Sequence, residues 1–248
     1  MEDPIVRPNT PERPKLIAHR GFTPAAPQNT LAAFEAAGRR GFWAIETDVR
    51  KTRDGVLVCC HDADTNRHYQ GGGPIEECTY QELSRLGPLR REDQREGMDC
   101  VGVPTFQSYL ETCKRYGSLP FIETKTQDAG EVALAACRLF PVEEIIISSV
   151  VLDHLVQARR AVPGVFVHHI FSTPEGMEAL ARMGRSGLSY NYPDYAACPP
   201  ELLEETHRAG VLCCLRAGDS RQAVRDMLRM GLDYIPTNRV DGLAEETN

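Results

Sequence analysis

Short runs of apolar residues alternate along this chain with longer segments in which apolar residues recur every three or four positions. The short runs predict strands, and the longer periodic segments predict amphipathic helices. The predicted strands are residues 15–19, 43–49, 120–125, 144–148, 165–170, 187–191, 211–215 and 233–236. The predicted helices are residues 30–40, 104–116, 129–140, 152–161, 174–183, 199–209 and 220–230.

The order of these elements predicts a parallel sheet, because a helix after each strand can return the chain to the same edge of the sheet. Eight such strands within a chain of 248 residues favour an α/β fold of the closed (β/α)8 kind, a TIM barrel. An open, doubly wound sheet is the alternative. No internal repeat decides between the two.

Residues from about 51 to 103 interrupt this alternation. They contain a turn signal at Asp54-Gly55, a short apolar run at 56–60 and three consecutive glycines at 71–73. Because ordinary connections in α/β folds are much shorter, we predict a small insertion after the second strand, over the barrel mouth. The predicted organisation is a flexible N-terminal segment (1–14), a barrel (15–240, with the insertion at about 51–103) and a C-terminal tail (241–248).

Charge and cysteine content narrow the class of function. The net charge is −7, with Lys and Arg spread among Asp and Glu, which argues against a nucleic-acid partner but allows a small anionic substrate. The nine cysteines form no C-x-x-C pair, so we expect free, mostly buried thiols in a cytoplasmic protein. No stretch approaches the roughly 18 uninterrupted apolar residues of a membrane span, so we expect no transmembrane segment.

Polar residues end the first two predicted strands, where the catalytic face of an α/β barrel forms. His19 and Arg20 end the first strand; histidine can transfer a proton near neutral pH, and arginine matches phosphate oxygens. Glu46 and Asp48 lie two residues apart on the second strand, so both carboxylates face the same side. Such carboxylates repel each other unless a cation lies between them. The alternatives are a surface His-Arg pair and acids bonded to lysine or arginine.

Residues of the same kind follow two further apolar runs. His61 ends the run at 56–60, and Glu123 and Lys125 end the third barrel strand on one face. Glu123 would add a third carboxylate to a site of oxygen ligands, which suits one divalent metal, Mg²⁺ or Ca²⁺. Lys125 would contact a phosphate, or else pair with Glu123. Together these residues predict one pocket for metal-assisted phosphoryl chemistry.

For the remaining histidines we predict structural roles. His168 and His169 lie within the fifth strand, where one should face the barrel and the other the helices, and we expect both to pack. No regular spacing in the sequence links His68, His154 or His207 to a carboxylate. We predict that these three histidines lie on the surface without such a partner.

At these residues the chain resembles the glycerophosphodiester phosphodiesterase family. The matching motifs are His19-Arg20-Gly21, Pro27-Gln28-Asn29-Thr30, Glu46-Thr47-Asp48-Val49, His61-Asp62, Pro104-Thr105-Phe106 and Ile122-Glu123-Thr124-Lys125. They occur in order, and the resemblance extends from about residue 16 to residue 239. It implies a (β/α)8 barrel with a small insertion after the second strand, in agreement with the hydrophobic pattern.

The resemblance also implies roles and a reaction. The implied roles are general acid and base for His19 and His61, metal ligands for Glu46, Asp48 and Glu123, and phosphate contacts for Arg20 and Lys125. The implied substrates are small-molecule glycerophosphodiesters, which give glycerol 3-phosphate and an alcohol. The residues leave open which histidine is the base, which metal binds, whether a cyclic phosphate forms first, and the oligomeric state.

Three departures from the family's motifs bear on the substrate. Gln28 stands in place of a glutamate, Arg216 lies where the family often has a Trp-Thr-Val-Asn stretch, and Asn238 stands in place of an aspartate. Beside Gln28, Asn29 and Thr30 would still shape the loop and cap the first helix. Two alternatives follow: a related barrel acting on lysophospholipids or sugar phosphodiesters, and a barrel that binds a phosphodiester without turnover.

Overall fold

Eight parallel strands form a nearly closed barrel in the computed structural model, which describes residues 3–88 and 102–243. The strands of the described residues are β1 (Leu16–Ala18), β2 (Ala44–Lys51), β3 (Leu57–Cys59), β4 (Tyr69–Gln70), β5 (Gly87–Pro88), β6 (Leu119–Thr124), β7 (Ile146–Ser149), β8 (Phe166–His169), β9 (Ser186–Ser189), β10 (Leu212–Cys214) and β11 (Ile235–Thr237). The α-helices are α1 (Leu31–Arg39), α2 (Tyr80–Leu83), α3 (Phe106–Tyr116), α4 (Ala129–Ala136), α5 (Leu152–Ala161), α6 (Pro174–Met183), α7 (Pro200–Arg208) and α8 (Arg221–Arg229).

The sheet order β10-β9-β8-β7-β6-β2-β1-β11 follows the chain around the barrel without reversal. This order confirms the predicted barrel and excludes the doubly wound alternative, in which the strand order reverses at a switch point. The seam between β10 and β11 is joined by the backbone bonds Asp233 N to Cys213 O (3.0 Å) and Gly218 N to Pro236 O (2.8 Å).

Hydroxyl side chains fix where several helices begin. The hydroxyls of Thr30, Thr105, Thr173 and Ser220 each accept a hydrogen bond from a backbone N–H in the first turn, at the starts of α1, α3, α6 and α8. Caps of this kind stabilise a helix by about 0.5–2 kcal/mol each. The predicted capping role of Thr30 is therefore confirmed.

Alternation along the strands divides the core into two layers. Cys213 packs outward among the residues between strands and helices, whereas its neighbour Cys214 packs inside the barrel. Tyr234 and His168 fill the barrel interior, where the ring nitrogen Nδ1 of His168 lies 2.6 Å from the Tyr234 hydroxyl. Burial lowers the pKa of His168 to about 3, so this histidine is a neutral packing residue, as expected.

The described part of the N-terminal segment lies against the lower, N-terminal end of the barrel. Ile5 is fully buried there, and its carbonyl accepts a hydrogen bond from the ammonium of Lys15 at 2.7 Å. The indole N–H of Trp43 donates to the carbonyl of Pro4 at 3.3 Å. The segment predicted to be flexible thus contributes to the floor of the barrel.

The insertion after β2 forms a small unit with its own apolar cluster. Its strand β3 pairs antiparallel with the end of β2, and β4 pairs with β5. The cluster consists of Val58, Cys60, Tyr69, Ile75, Cys78, Leu83 and Val103. Residues 89–101 of the predicted insertion, and residues 244–248 of the predicted tail, lie outside the described residues. Across the described part of the chain, every helix is too short or too polar to cross a membrane.

Candidate active site

Three carboxylates converge inside the upper end of the barrel. The register of β2 and β6 sets Asp48 opposite Glu123, and Glu46 lies two residues before Asp48 on the same face. Oxygen atoms of all three lie within 4.8 Å of one another, and all three residues are buried. The structure therefore brings together the three residues that the sequence predicted as metal ligands.

Burial and neighbouring charges shift the pKa values of all three carboxylates. Burial, followed by repulsion from Asp48 and Glu123, raises the pKa of Glu46 well above its ordinary value. Burial and the charge of Asp48 also raise the pKa of Glu123. Burial acts in the same direction on Asp48, but the cations of Lys125 and Arg20 hold the pKa of Asp48 below its ordinary value.

The cluster fits a hard divalent cation. The Oδ1 atom of Asp48 is buried and lacks a hydrogen bond, with only the Lys125 ammonium at 3.3 Å. Three carboxylate oxygens with one such unsatisfied atom match the all-oxygen ligand sets of Mg²⁺ and Ca²⁺. A cation would also remove the repulsion that raises the pKa values of Glu46 and Glu123.

The two predicted phosphate-binding cations border the same cavity and contact the carboxylates. Lys125 forms ion pairs with both Glu123 and Asp48, which is the alternative that the sequence left open for this side chain. The Nε atom of Arg20 lies 3.4 Å from Asp48 Oδ2. Both side chains also line the cavity, so they can contact an anion above the carboxylates.

The backbone at Arg20 adopts a conformation that directs its N–H into the site. Arg20 has a φ of 59°, in the left-handed region, and its N–H donates to Glu46 Oε2 at 2.7 Å. Gly21 follows with a φ of 82°, and a Cβ there would come within 2.7 Å of the Ala33 side chain. A non-glycine residue in this region costs about 1–3 kcal/mol, a strain that is concentrated at functional sites.

Asn29 has a role that the sequence analysis did not assign. Its amide nitrogen donates to Asp48 Oδ2 at 2.9 Å, and its amide oxygen accepts from the hydroxyl of Thr47 at 2.7 Å. Asn29 therefore fixes the orientation of a carboxylate that would bind metal. Its place in the Pro-Gln-Asn-Thr motif was the signal, but only the folded chain shows that it reaches β2.

His19 is oriented by a chain of hydrogen bonds from the far side of the barrel seam. Its Nδ1 lies 2.7 Å from Asn238 Oδ1, and Asn238 donates from its side chain and backbone to Asp219, at 2.9 and 2.7 Å. Because an amide oxygen only accepts, Nδ1 carries the hydrogen and Nε2 carries the lone pair. Burial and the charge of Arg20 lower the pKa of His19, which favours the neutral ring.

His61 is oriented by a carboxylate instead. Its Nδ1 lies 3.1 Å from Asp62 Oδ1, and Asp62 Oδ2 lies 2.8 Å from His68 Nε2. The prediction that His68 has no carboxylate partner is therefore wrong, because the partner is reached through a turn and not through a regular spacing. Gln28 accepts from Arg20 Nη1 at 2.7 Å, and its amide nitrogen lies 3.2 Å from the ring of His68.

A cavity of about 300 Å³ opens above the carboxylates and is large enough for a small ligand. His19 and His61 border it, together with Arg20, Lys125 and the buried hydroxyl of Ser148, which has no hydrogen-bond partner. The wall distant from β2 is formed by residues that the sequence did not select as a group: Ile170, Phe171, Leu215 and Arg216. Two histidines, two cations and a carboxylate cluster compatible with a divalent metal therefore border one cavity.

Comparison with known proteins identifies relatives over most of the chain. A model of the glycerophosphoryl diester phosphodiesterase family matches residues 19–242. A glycerophosphodiester phosphodiesterase from Caldanaerobacter subterraneus subsp. tengcongensis is 28% identical over 231 residues, which cover 90% of this chain and 93% of that enzyme. Glycerophosphodiester phosphodiesterase 1 from Mus musculus is 32% identical over 114 residues. That match spans 46% of this chain and only 34% of the mouse protein, about a third of its length.

Solved structures share the same fold. A glycerophosphodiester phosphodiesterase from Agrobacterium tumefaciens superposes with a TM-score of 0.79 at 25% identity, covering 93% of this chain and 99% of that one. An Oleispira antarctica phosphodiesterase, solved with its product sn-glycerol-3-phosphate, gives a TM-score of 0.81 at 24% identity and covers 93% and 95%. The barrel and its connections are thus those of an existing group of structures.

Proposed function

Because this chain belongs to the glycerophosphoryl diester phosphodiesterase family, we propose that it hydrolyses glycerophosphodiesters to glycerol 3-phosphate and an alcohol with one divalent metal ion, Mg²⁺ or Ca²⁺. The observation that carries the proposal is the shared cavity, in which His19 and His61 border the buried carboxylate cluster. The eight described cysteines are all free thiols, which supports a reducing compartment such as the cytoplasm.

The carboxylates of Glu46, Asp48 and Glu123 would hold the metal. When bound there, a divalent cation supplies positive charge to a phosphoryl oxygen and to the negative charge that develops during the reaction. Arg20 and Lys125 add cationic donors at the same edge of the cavity and would orient the phosphate group for in-line attack.

The hydrogen-bond partners of the two histidines support distinct roles. His19 presents a lone pair at Nε2 and is held neutral by burial, so it suits removal of a proton from the attacking hydroxyl group. Burial lowers the pKa of His61 as well, but its Nδ1 contacts a carboxylate, which stabilises a protonated ring better than an amide does, so His61 is the better suited of the two to protonate the leaving alkoxide. The attacking hydroxyl belongs to water, or to the glycerol 2-position if a cyclic phosphate forms first.

Asp219 is expected to act as a positioning residue for His19. We predict that Asp219→Ala lowers kcat by about 10- to 100-fold with little change in KM, because Asn238 loses both acceptors and His19 can move by an ångström or so. Steady-state kinetics on glycerophosphocholine would measure this split, with the exposed Asp194→Ala as the matched control. A normal kcat in Asp219→Ala protein would contradict the positioning role.

One alternative substrate class has a structural observation in its favour. Phe171 is 48% exposed and lines the cavity, and Val150, also at the cavity, is 50% exposed. Apolar groups at the mouth would suit a lysophospholipid, whose acyl chain needs a surface outside the polar site. The hydrolysis product distinguishes the two substrates, because a lysophospholipid yields an acylated glycerophosphate.

The central experiment is product identification. The purified protein is incubated with glycerophosphocholine, glycerophosphoethanolamine and a lysophosphatidylcholine, with Mg²⁺ or Ca²⁺ and with a chelator. We expect glycerol 3-phosphate from the first two substrates, and its loss in chelator. Turnover of the lysophospholipid alone would replace this proposal by the alternative, and tight binding of all three without turnover would support a non-catalytic barrel.

A further inference from the structure

A second cluster of metal-ligating side chains lies at the opposite end of the barrel from the cavity. It consists of His207 in the last turn of α7, Cys213 on β10 and Asp233 just before β11. The Nε2 atom of His207 lies 2.9 Å from Asp233 Oδ2 and 3.4 Å from Cys213 Sγ. All three donor atoms lie within 4.8 Å of one another. The prediction that His207 lacks a carboxylate partner is therefore wrong.

The geometry of this cluster is not that of a proton relay. In a nucleophile–histidine–carboxylate relay, the nucleophile and the acid contact different nitrogens of the ring. Here the thiol and the carboxylate both contact Nε2 of His207, and a single nitrogen cannot serve both partners in a relay. Convergence of a sulfur, a nitrogen and an oxygen on one point is instead typical of metal ligands.

The donor set selects a class of metal different from that of the catalytic cavity. A thiolate with an imidazole suits Zn²⁺, whereas Mg²⁺ and Ca²⁺ prefer oxygen ligands alone. Adjacent zinc ligands in a tetrahedron are roughly 3.3 to 3.8 Å apart, given zinc–ligand bonds of about 2.0 to 2.3 Å. The separations of 2.9 and 3.4 Å in the cluster need only small adjustments.

Access to the cluster is open on one side. The side chains of His207 and Asp233 are 38% and 22% exposed, so an ion can enter between them and keep water as a fourth ligand. Cys213 is fully buried behind them, and burial together with the charge of Asp233 raises its pKa. A bound zinc ion would displace the thiol proton, because the thiolate is the ligand.

The cluster lies where a bound ion would join the two sides of the barrel seam. The cluster bridges the seam between β10 and β11, where the Asp233 carboxylate also accepts from the backbone N–H of Cys213 at 2.8 Å. Along this seam, the described residues show no paired β-ladder of the kind that joins the other barrel strands. We propose that His207, Cys213 and Asp233 form a Zn²⁺ site that ties α7, β10 and the entry to β11 together and closes the barrel seam.

Co²⁺ titration tests the site directly, because Co²⁺ replaces Zn²⁺ and a thiolate ligand gives a ligand-to-metal charge-transfer absorption in the near ultraviolet. We expect this band in the wild-type protein at one equivalent per chain, and its displacement by Zn²⁺. It should persist in Glu46→Gln protein, since the carboxylate site has no sulfur. Cys213→Ala should abolish the band, whereas Cys214→Ala, whose side chain lies inside the barrel, should retain it.

Thermal unfolding gives an independent readout that does not depend on catalysis. At a Zn²⁺ concentration about 100-fold above its dissociation constant, linkage predicts a rise in Tm of about 5 to 10 °C for the wild type. With the carboxylate site removed by Glu46→Gln in every protein, we expect this rise to persist with the cluster intact and to vanish in Cys213→Ala. Asp233→Asn, which keeps an acceptor for the Cys213 N–H, should also lose the rise and serves as the second variant if Cys213→Ala folds poorly. A folded wild type without a thiolate band, or equal zinc shifts in all variants, would overturn the proposal.

Discussion

His61→Ala protein is expected to lose about 10²- to 10⁴-fold in kcat for glycerophosphocholine, the range typical of a removed general acid or base. The same variant should lose much less activity towards a phosphodiester with a nitrophenolate leaving group, because that group departs without protonation. This difference follows from the Asp62 carboxylate at His61 Nδ1, which suits a proton donor. Parallel measurement of kcat on both substrates provides the test.

His19→Ala is the matched comparison for this prediction. If His19 is the base, its loss should lower kcat by a similar factor for both substrates, since each still needs an activated nucleophile. Burial lowers the pKa of His19 below the ordinary histidine value of about 6.5, so the acidic limb of kcat/KM against pH should lie below that value. His154→Ala, a histidine outside the cavity lining, is the control and should retain full activity. Leaving-group sensitivity in His19→Ala instead of His61→Ala would reverse the assignment.

Glu46→Gln is expected to separate metal binding from folding. Burial and its two carboxylate neighbours already raise the pKa of Glu46, so Glu46→Gln removes a charge that is disfavoured in the metal-free protein. A neutral glutamine can still accept from the Arg20 N–H, so stability in chelator should change by less than about 1.5 kcal/mol, the net contribution of one hydrogen bond. Affinity for Mg²⁺ or Ca²⁺ should fall by at least about 100-fold, more than for loss of a residue that only supports a ligand.

Calorimetry and activity against metal concentration measure this effect together. In the wild type, the raised pKa of Glu46 means that a cation displaces a proton, so metal affinity should increase as pH rises towards that pKa. Glu46→Gln should lose this pH dependence along with its affinity. Lys51→Gln, which removes a half-buried ion-pairing side chain on the same strand, serves as the control. Wild-type metal affinity in Glu46→Gln protein would exclude Glu46 as a ligand.

The sequence was sufficient to place the central residues. Alternation along β2 predicted that Glu46 and Asp48 share a face, and the order of strands and helices predicted that Glu123 ends a neighbouring strand. These inferences need only local periodicity and the direction of parallel strands. The same alternation accounts for Cys213 and Cys214, which follow each other on β10 and pack in opposite layers of the core.

The partners of the site residues were not predictable in this way. Asn238 and His19 are 219 positions apart and meet only because β11 closes the barrel against β1. Asp219 contacts Asn238 from the loop after β10, where no periodic pattern indicates a direction. The sequence showed only that Asn238 stands where the family has an aspartate. The structure shows that this asparagine in turn donates hydrogen bonds to a carboxylate.

The histidines show how far the sequence alone predicts this site. By itself, the sequence determined that His19 and His61 end apolar runs, because a strand end is fixed by a few neighbouring residues. Only the tertiary structure decided that His19 has an amide partner and His61 a carboxylate partner, on which their proposed roles depend. It alone brought His207 to Cys213 and Asp233 as well. Hydrogen bonds between distant residues depend on how the barrel closes, and no local pattern encodes that geometry.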